Sequence, residues 1–481
     1  MPDSFAEYGT NKMASAPPGA SRRLSGWRIL LLLAGAPLLW LLPADSPQGA
    51  MPISPVCQST IAPADAAGAQ WFPRDEDFAL RAGRELLARP DYPAALCYFQ
   101  TIYPVLQEDA AFLFDLGEAY WGGGQPAEAV AAWEQARQSG DESDEILLRL
   151  RAGYLQTRDW EKAADLLALW LARYPDDTAA RYRLALIRAA MDPGGALELL
   201  AEVQTGAGPE AGDAKILATV IRAAAALGDP AYLFARTGEE LIRLGEPVLA
   251  ESILRRAIER NPEYGEAYSL LGLAQESAGD DPYESYRLGV QYAPDSRIAC
   301  LLYGSWLQKG GRLDMARWWL ERAWELKPGD WVTASALSRV DLAAGNINAA
   351  EGWLLQAVQS YPEDPDAWLA LAAFYIENDL RVEESGLPAA RQALLLAPGE
   401  DRGLDLIGWG WFKLGDFPEA ERMLRSAIGK NPDSAAAHLH LGMCLLEEGA
   451  AEEAAAELQQ AARLDPQGIV GGKALELLAG M

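Results

Sequence analysis

Residues 433–466 read DSAAAHLHLGMCLLEEGAAEEAAAELQQAARLDP, and the proline that ends this stretch is the last of a regular series. Pro262, Pro294, Pro328, Pro362, Pro398, Pro432 and Pro466 are separated by 32, 34, 34, 36, 34 and 34 residues. A fixed period of this size predicts a stack of similar small units rather than one globular core. Within the quoted stretch the informative positions are Gly442, Ala454, Leu458 and Ala461. Going back along the chain, the same spacings from proline return Ala257, Ala323, Ala357, Ala393 and Ala427, then Leu254, Tyr286, Leu320, Leu354 and Leu424. Ten residues after each proline stand Gly272, Gly304, Ser338, Ala372, Gly408 and Gly442. Small residues let two helices approach, and a bulky apolar residue one turn away fills the gap between them. The proline stops the second helix, because its ring clashes in a helix interior.

This pattern resembles the tetratricopeptide repeat (TPR) family, whose unit is a 34-residue helix–turn–helix. In that register the Gly/Ala/Ser set is unit position 8, the alanines are positions 20 and 27, and the proline is position 32. Gly386 replaces the position-20 alanine in the 36-residue unit, and Gly289 replaces the position-27 alanine in the 32-residue unit. Weaker copies precede the series: Gly83, Ala95 and Phe99; Leu116, Gly117, Ala129, Trp133 and Ala136; Ala152, Ala163, Leu167 and Pro175. A degenerate unit follows from about Thr178 to Pro209, and Ala214–Leu227 reads as an extra helix that breaks phase. The resemblance therefore implies an all-α fold, a right-handed α-solenoid of about eleven TPR units behind a single N-terminal apolar helix. The expected organisation is a basic leader (1–28), an apolar segment (29–44), a Pro/Ala-rich linker (45–70), a first array (71–212), a phase-breaking helix (213–230), a second array (231–468) and a terminal helix (469–481).

Half the residues are hydrophobic, as a folded chain requires. Residues 71–481 hold 37 basic and 65 acidic side chains, which is the whole net charge of −28. An acidic surface of that size disfavours nucleic acid, whose phosphates need a basic footprint. Solubility of a long array is the simple reading of the charge, and attraction of a basic partner the sharper one.

Ile29–Ala44 is 16 residues without a charge, preceded by Arg22, Arg23 and Arg28 and followed by Asp45. The basic flank predicts a cytoplasmic N-terminus and repeats on the outer side of a membrane. As a helix the segment reaches about 24 Å, short of a ~30 Å hydrocarbon core, and Trp27 with the stem of Arg28 extends it. A single-span anchor is the expectation. A cleaved signal peptide ending near Leu42-Pro43-Ala44 competes with it. Cys57 lacks the small residues that would precede a lipidated cysteine.

Nothing in the chain suggests catalysis. Cys57, Cys97, Cys300 and Cys444 are scattered, with no CxxC, and buried free thiols are expected. His438 and His440 lie two apart and would point about 200° from each other on a helix, so they cannot share a metal ion. No phosphate loop, nucleophile elbow or HExxH occurs. The expectation is a chain that is not an enzyme and has no cofactor and no metal.

In the resembled family, ligand contacts fall mostly at unit positions 2, 5, 9, 12 and 13 on a concave face lined by the first helices. Here those positions are polar in the middle of the array, with Glu239, Arg243, Glu266, Ser269 and Glu276. They turn apolar toward the C-terminus: Leu369, Ile376, Trp409, Phe412, Leu439, Met443 and Leu446. Exposed apolar patches usually mark binding sites, so these seven are the expected groove for an apolar peptide or helix of a protein partner. Packing between neighbouring repeats is the competing account. No asparagine stands at position 9 in any unit, which excludes the family's clamp for a terminal carboxylate. The reading is a membrane-anchored adaptor for assembly of an envelope complex. A spacer without groove ligand, or an accessory subunit of an envelope polysaccharide or lipid-modifying enzyme, is the alternative.

Overall fold

The computed structural model describes residues 76–481 apart from 207, 209 and 467. The expected leader, apolar segment and linker lie outside these residues. Among the described residues there are 24 α-helices, one π-turn and no strand. No helix among them is long and apolar enough to cross a membrane. The chain divides into two compact units, one through Asp159 and one from Trp160. The boundary thus falls well before the phase-breaking helix expected at 213–230, which lies inside the second unit.

The first unit contains α1 (Glu76–Ala88), α2 (Tyr92–Leu106), α3 (Ala110–Gly122), α4 (Pro126–Gln138) and α5 (Asp144–Gln156). Three of its helices start on side-chain caps, among them α3 and α5: the Asp109 carboxylate accepts from the Phe112 amide at 2.8 Å, and Ser143 Oγ accepts from Ile146. Such caps satisfy amides that the first turn leaves without partners. Inside each pair a glycine of the first helix faces a large ring of the second. A Cβ on Gly83 would lie 2.3 Å from Phe99, and one on Gly117 would lie 2.2 Å from Trp133 Nε1. Trp133 is fully buried, and its indole N–H has no hydrogen-bond partner. Cys97, expected as a free thiol, is disulfide-bonded.

The second unit begins with α6 (Trp160–Arg173), α7 (Thr178–Met191), the short α8 (Leu197–Gln204) and α9 (Glu210–Ala225). Helix pairs follow in order: α10 (Pro230–Arg243) with α11 (Pro247–Arg260), α12 (Gly265–Ala278) with α13 (Tyr283–Tyr292), and α14 (Arg297–Lys309) with α15 (Leu313–Leu326). Next come α16 (Trp331–Ala343) with α17 (Ile347–Ser360), and α18 (Pro365–Glu377) with α19 (Leu387–Leu396). The last pairs are α20 (Asp401–Lys413) with α21 (Phe417–Lys430), and α22 (Ala435–Glu447) with α23 (Ala451–Leu464). A terminal helix, α24 (Ile469–Gly480), packs on both α22 and α23. First helices also pack on the first helices of neighbouring repeats, so they form one continuous face.

The recurring residues do what their sizes dictate. Ala250, Ala316, Ala350, Ala420 and Ala454, and the alanines seven residues after each, are completely buried. Position-8 glycines touch the large apolar residue of the second helix: a Cβ would lie 2.7 Å from Leu320 at Gly304, 2.6 Å from Leu424 at Gly408 and 2.7 Å from Leu458 at Gly442. Helices α11, α17, α21 and α23 each end two residues before their proline.

Two features are absent from the sequence pattern as read above. The turn between the paired helices carries one left-handed residue at unit position 15, filled by Gly245, Gly279, Gly311, Gly345, Gly415 and Gly449, and by Arg158 and Asp379 elsewhere. Glycine adopts that conformation without steric cost. The second feature is how the 36-residue unit absorbs its extra length. A five-residue π-turn, Val382–Gly386, feeds directly into α19, and Gly386 is the small residue because Ile376 lies against it, 2.9 Å from where a Cβ would stand.

The phase break is bridged by contacts distant in sequence. Helix α7 packs on α10 and α11 as well as on α8. Arg256 donates to the carbonyl oxygens of Ala190, at 2.9 Å, and Met191, capping the C-terminus of α7 with a cation. Arg183 pairs with Glu246 nearby.

Candidate interaction surface

Of the seven apolar residues expected in a groove, three are buried and four half-buried. Leu369, Ile376 and Leu439 are buried, Ile376 completely. The backbone of Gly386 and Gly410 closes over Ile376, since a Cβ on either would fall within 3.4 Å of its side chain. Leu439, Met443 and Leu446 pack against α24, with Leu458, Ala461 and Ala474 completing that cluster. Leu369, Ile376 and Leu439 are therefore corrected from groove surface to interior, while Met443 and Leu446 are half-buried beside α24.

Trp409 and Phe412 are half-buried, and their rings meet partners within the chain. Phe412 stacks on Trp409 at 4.6 Å and 11°, and His440 stacks on Trp409 at 4.4 Å and 12°. Lys413 Nζ lies 5.3 Å from the Trp409 ring. His440 Nδ1 is 2.7 Å from the buried Asp405 carboxylate, which orients the imidazole for this stack. Much of the aromatic surface is thus engaged internally, and Trp409 is the centre of a stack rather than an open platform.

What the face of first helices does present is charge. Arg339 on α16 is exposed and makes no hydrogen bond or ion pair with any described residue. Burial against its surroundings nevertheless pulls its pKa below the usual arginine range, with Glu377 drawing it back up. Glu377, on α18, is exposed and equally without a hydrogen bond or ion pair to any described residue. Desolvation raises its pKa, opposed by His440, Arg339 and Lys413 and reinforced by Asp405.

Several other charges on this face are paired between consecutive repeats, whereas Glu447 on α22 is exposed and unpaired among the described residues. Lys309 binds Glu276 at 2.6 Å, Arg402 binds Asp366 at 2.7 Å, and Lys413 binds Asp379 at 3.1 Å. Arg339 and Glu377, like Glu447, lack such a partner among the described residues. Sequence reasoning missed both, because it searched the inner positions for apolar residues; Arg339 was visible at position 9 and Glu377 at position 13.

Reactive chemistry is not assembled on these helices. His438 is buried, with Nδ1 2.5 Å from Glu457 and Nε2 2.9 Å from the Pro432 carbonyl oxygen. It therefore has its own partners, separate from those of His440. Burial pushes the Cys300 and Cys444 thiols up to about 11, so neither is a nucleophile near neutral pH. No group of acidic, histidine or cysteine residues suited to a metal ion occurs among the described residues.

Models of the tetratricopeptide repeat match residues 80–143, 114–178, 236–282 and 409–469, and a second model of the same repeat matches 307–374. Together they cover more than half of the sequence, and the chain belongs to the tetratricopeptide repeat family. No curated protein matches it. Among solved structures, yeast Tom70 is similar at 16% identity and a TM-score of 0.45, over 85% of this chain and 96% of that one. TTC0263, a thermophilic TPR protein of Thermus thermophilus, is 22% identical with a TM-score of 0.34, over 38% of this chain and 100% of that one. YrrB, described as a TPR protein with an unusual peptide-binding site, is 16% identical with a TM-score of 0.26, over 40% and 97%. These likenesses concern helical repeats and carry no argument about a partner.

Proposed function

We propose that this chain is a non-catalytic protein-interaction scaffold whose working surface is the face of first helices from α16 to α22. The observation that carries the reading is the solvent-open, unpaired Arg339 and Glu377 on that face. Exposed charges without a partner among the described residues are free to pair with groups of a bound segment. The buried aliphatic positions argue against an apolar helix as the occupant, so the partner segment is polar. We further propose that the repeats stand on the outer side of a membrane behind an anchor at residues 29–44, serving assembly of an envelope complex. The basic-then-apolar order of residues 22–44 supports this placement, as does the disulfide at Cys97, because disulfides persist mainly in oxidising compartments.

A photo-crosslinking amino acid placed at Arg339 or Glu377 tests the surface, with Gln356 on the second helix α17 as the control position. A discrete crosslinked protein at the first two positions and not at the third supports the scaffold. Equal products at all three refute the assignment of the face. The spacer reading draws on a separate observation, the ion pairs that tie consecutive repeats at Lys309–Glu276, Arg402–Asp366 and Lys413–Asp379. It gains if no position crosslinks anything.

A further inference from the structure

We infer that the second-helix face around α15 is an interface for a second copy of this chain, Trp318 and Met315 of each copy covering the other and Arg312 of each pairing with Asp314 of the other. This face is separate from the first-helix face above, and the inference does not rest on that reading. Its starting point is one side chain. Trp318 is 59% exposed, and every other tryptophan among the described residues is buried or half-buried. The repeat does not ask for a tryptophan there. The residues ten before the other prolines of the series are Ser252, Glu284, Gly352, Pro388, Arg422 and Ala456, none of them aromatic.

The indole is the outer end of a continuous layer of rings. It meets Trp319 edge-on at 4.4 Å, Trp319 packs on Tyr303 at 5.6 Å, Tyr303 stacks on Trp306 at 6.1 Å, and Trp306 reaches Tyr283 at 5.9 Å. Tyr303 is buried, so the layer is rooted in the core, while Tyr283 and Met315 are exposed like Trp318. Met315 lies three residues before Trp318 and shares its helix face. Aromatic and methionine side chains with an arginine beside them are the composition of interface centres. Rings already held in place also give up little freedom when they are covered.

Charge names the occupant. Residues 312–326 hold three arginines and three acidic residues, a neutral stretch in a chain of −28, so this face selects neither a basic nor an acidic partner. Four of the six charges are paired within the chain: Arg317 with Asp341 at 2.6 Å and Glu321 at 3.8 Å, and Arg322 with Glu325 at 3.1 Å. The two left over are Arg312, whose guanidinium lies over the Trp306 ring at 5.6 Å, and Asp314 in the first turn of α15. Both are exposed, and neither side chain has a hydrogen bond or ion pair with any described residue. One unpaired cation and one unpaired anion on the same patch are self-complementary under a two-fold axis, which makes each contact twice. Repulsion between the remaining charges of the two chains is screened beyond about 8 Å at physiological ionic strength.

Sedimentation velocity of the full chain reads the association, with a nonionic detergent present throughout to mask residues 29–44. A monomer–dimer equilibrium is expected between about 1 and 100 μM. Trp318→Ser weakens it at least about tenfold, as loss of a central aromatic does, and Arg339→Gln on the first-helix face leaves it unchanged. Arg312→Asp and Asp314→Arg each weaken it several-fold alone. An equimolar mixture of those two variants recovers wild-type association, because each copy then supplies the charge the other lacks. Far-UV circular dichroism of every variant should match the wild type, since the altered side chains are exposed. A chain that stays monomeric to about 100 μM has a different occupant on this face, and the inference is overturned. It is equally overturned if the dimer is indifferent to Trp318→Ser, or if the mixture associates no better than its components.

Discussion

Replacing Gly304 by alanine isolates the contact that sets the repeat. An added Cβ would lie 2.7 Å from Leu320 Cγ, 3.0 Å from Leu320 Cδ2 and 3.2 Å from the Ala316 carbonyl oxygen. Ordinary carbon–carbon contact is about 3.5–4.0 Å, so the overlap with Leu320 is roughly 1 Å. Overpacking of this kind costs about 1–3 kcal/mol, while removing glycine from a helix interior returns about 0.5–1 kcal/mol. Gly304→Ala should therefore destabilise by roughly 0.5–2 kcal/mol. Leu320→Ala alone opens a cavity and should cost about 2–5 kcal/mol. In that background only the Ala316 carbonyl oxygen stays close, so Gly304→Ala becomes stabilising by up to about 1 kcal/mol, and the coupling equals the relieved overpacking of about 1–3 kcal/mol. Urea unfolding followed by circular dichroism gives the four corners of the cycle. Hydrogen exchange in α14 and α15 localises the change, because repeats open in parts. If Gly304→Ala stabilises the wild type, or the two changes add within about 0.5 kcal/mol, close approach at position 8 is not what holds the pair together.

The left-handed residue at the inter-helix turn makes Arg158→Gly stabilising by about 1 kcal/mol, readable as a rise in urea midpoint at constant slope, while Asp379→Gly gains less because it also removes the ion pair with Lys413. Asp341 is buried, accepts from Arg317 at 2.6 and 3.2 Å and from Trp353 Nε1 at 2.9 Å, and Asp341→Asn should cost about 2–4 kcal/mol in the same assay. Burial would raise that carboxyl, but the bonds from Arg317 and Trp353 outweigh it and hold the pKa below its usual value. Its contribution is consequently complete above the unfolded value near 4 and disappears as the pH falls through the lower folded value; Asp341→Asn should flatten that acid limb of a stability–pH curve. Alkylation of the denatured, unreduced protein should modify Cys300 and Cys444 and spare Cys97 until reductant is added, as counted by peptide mass.

Periodicity exposed the architecture because each repeat solves one packing problem with few residues. Gly304 and Leu320 are legible from their spacing alone, since a small and a large residue at fixed offsets have one common use. The surface was harder to read. Ile376 stands at a position that faces ligand in the resembled family, and it is buried because Gly386 and Gly410 bring backbone over it, a consequence of the π-turn in one longer unit. Leu439 was misread for another reason: the helix that packs against it follows the last repeat and lies outside the period. Arg339 drew no notice because its significance is the lack of a partner, which spacing cannot express.

The contacts that bridge the phase break also have a mechanical meaning. Arg256 on α11 holds the end of α7, and Arg183 on α7 holds Glu246, so both ends of the intervening chain are fastened to one place. Pulled along its length, the second unit can yield there only after these bonds part. The segment from Asp192 to Asp229 would then pay out as slack, up to about 130 Å at roughly 3.4 Å per residue. Helices α8 and α9 are in this sense stored length behind a latch of two arginines, and a force–extension trace would register them as one discrete step.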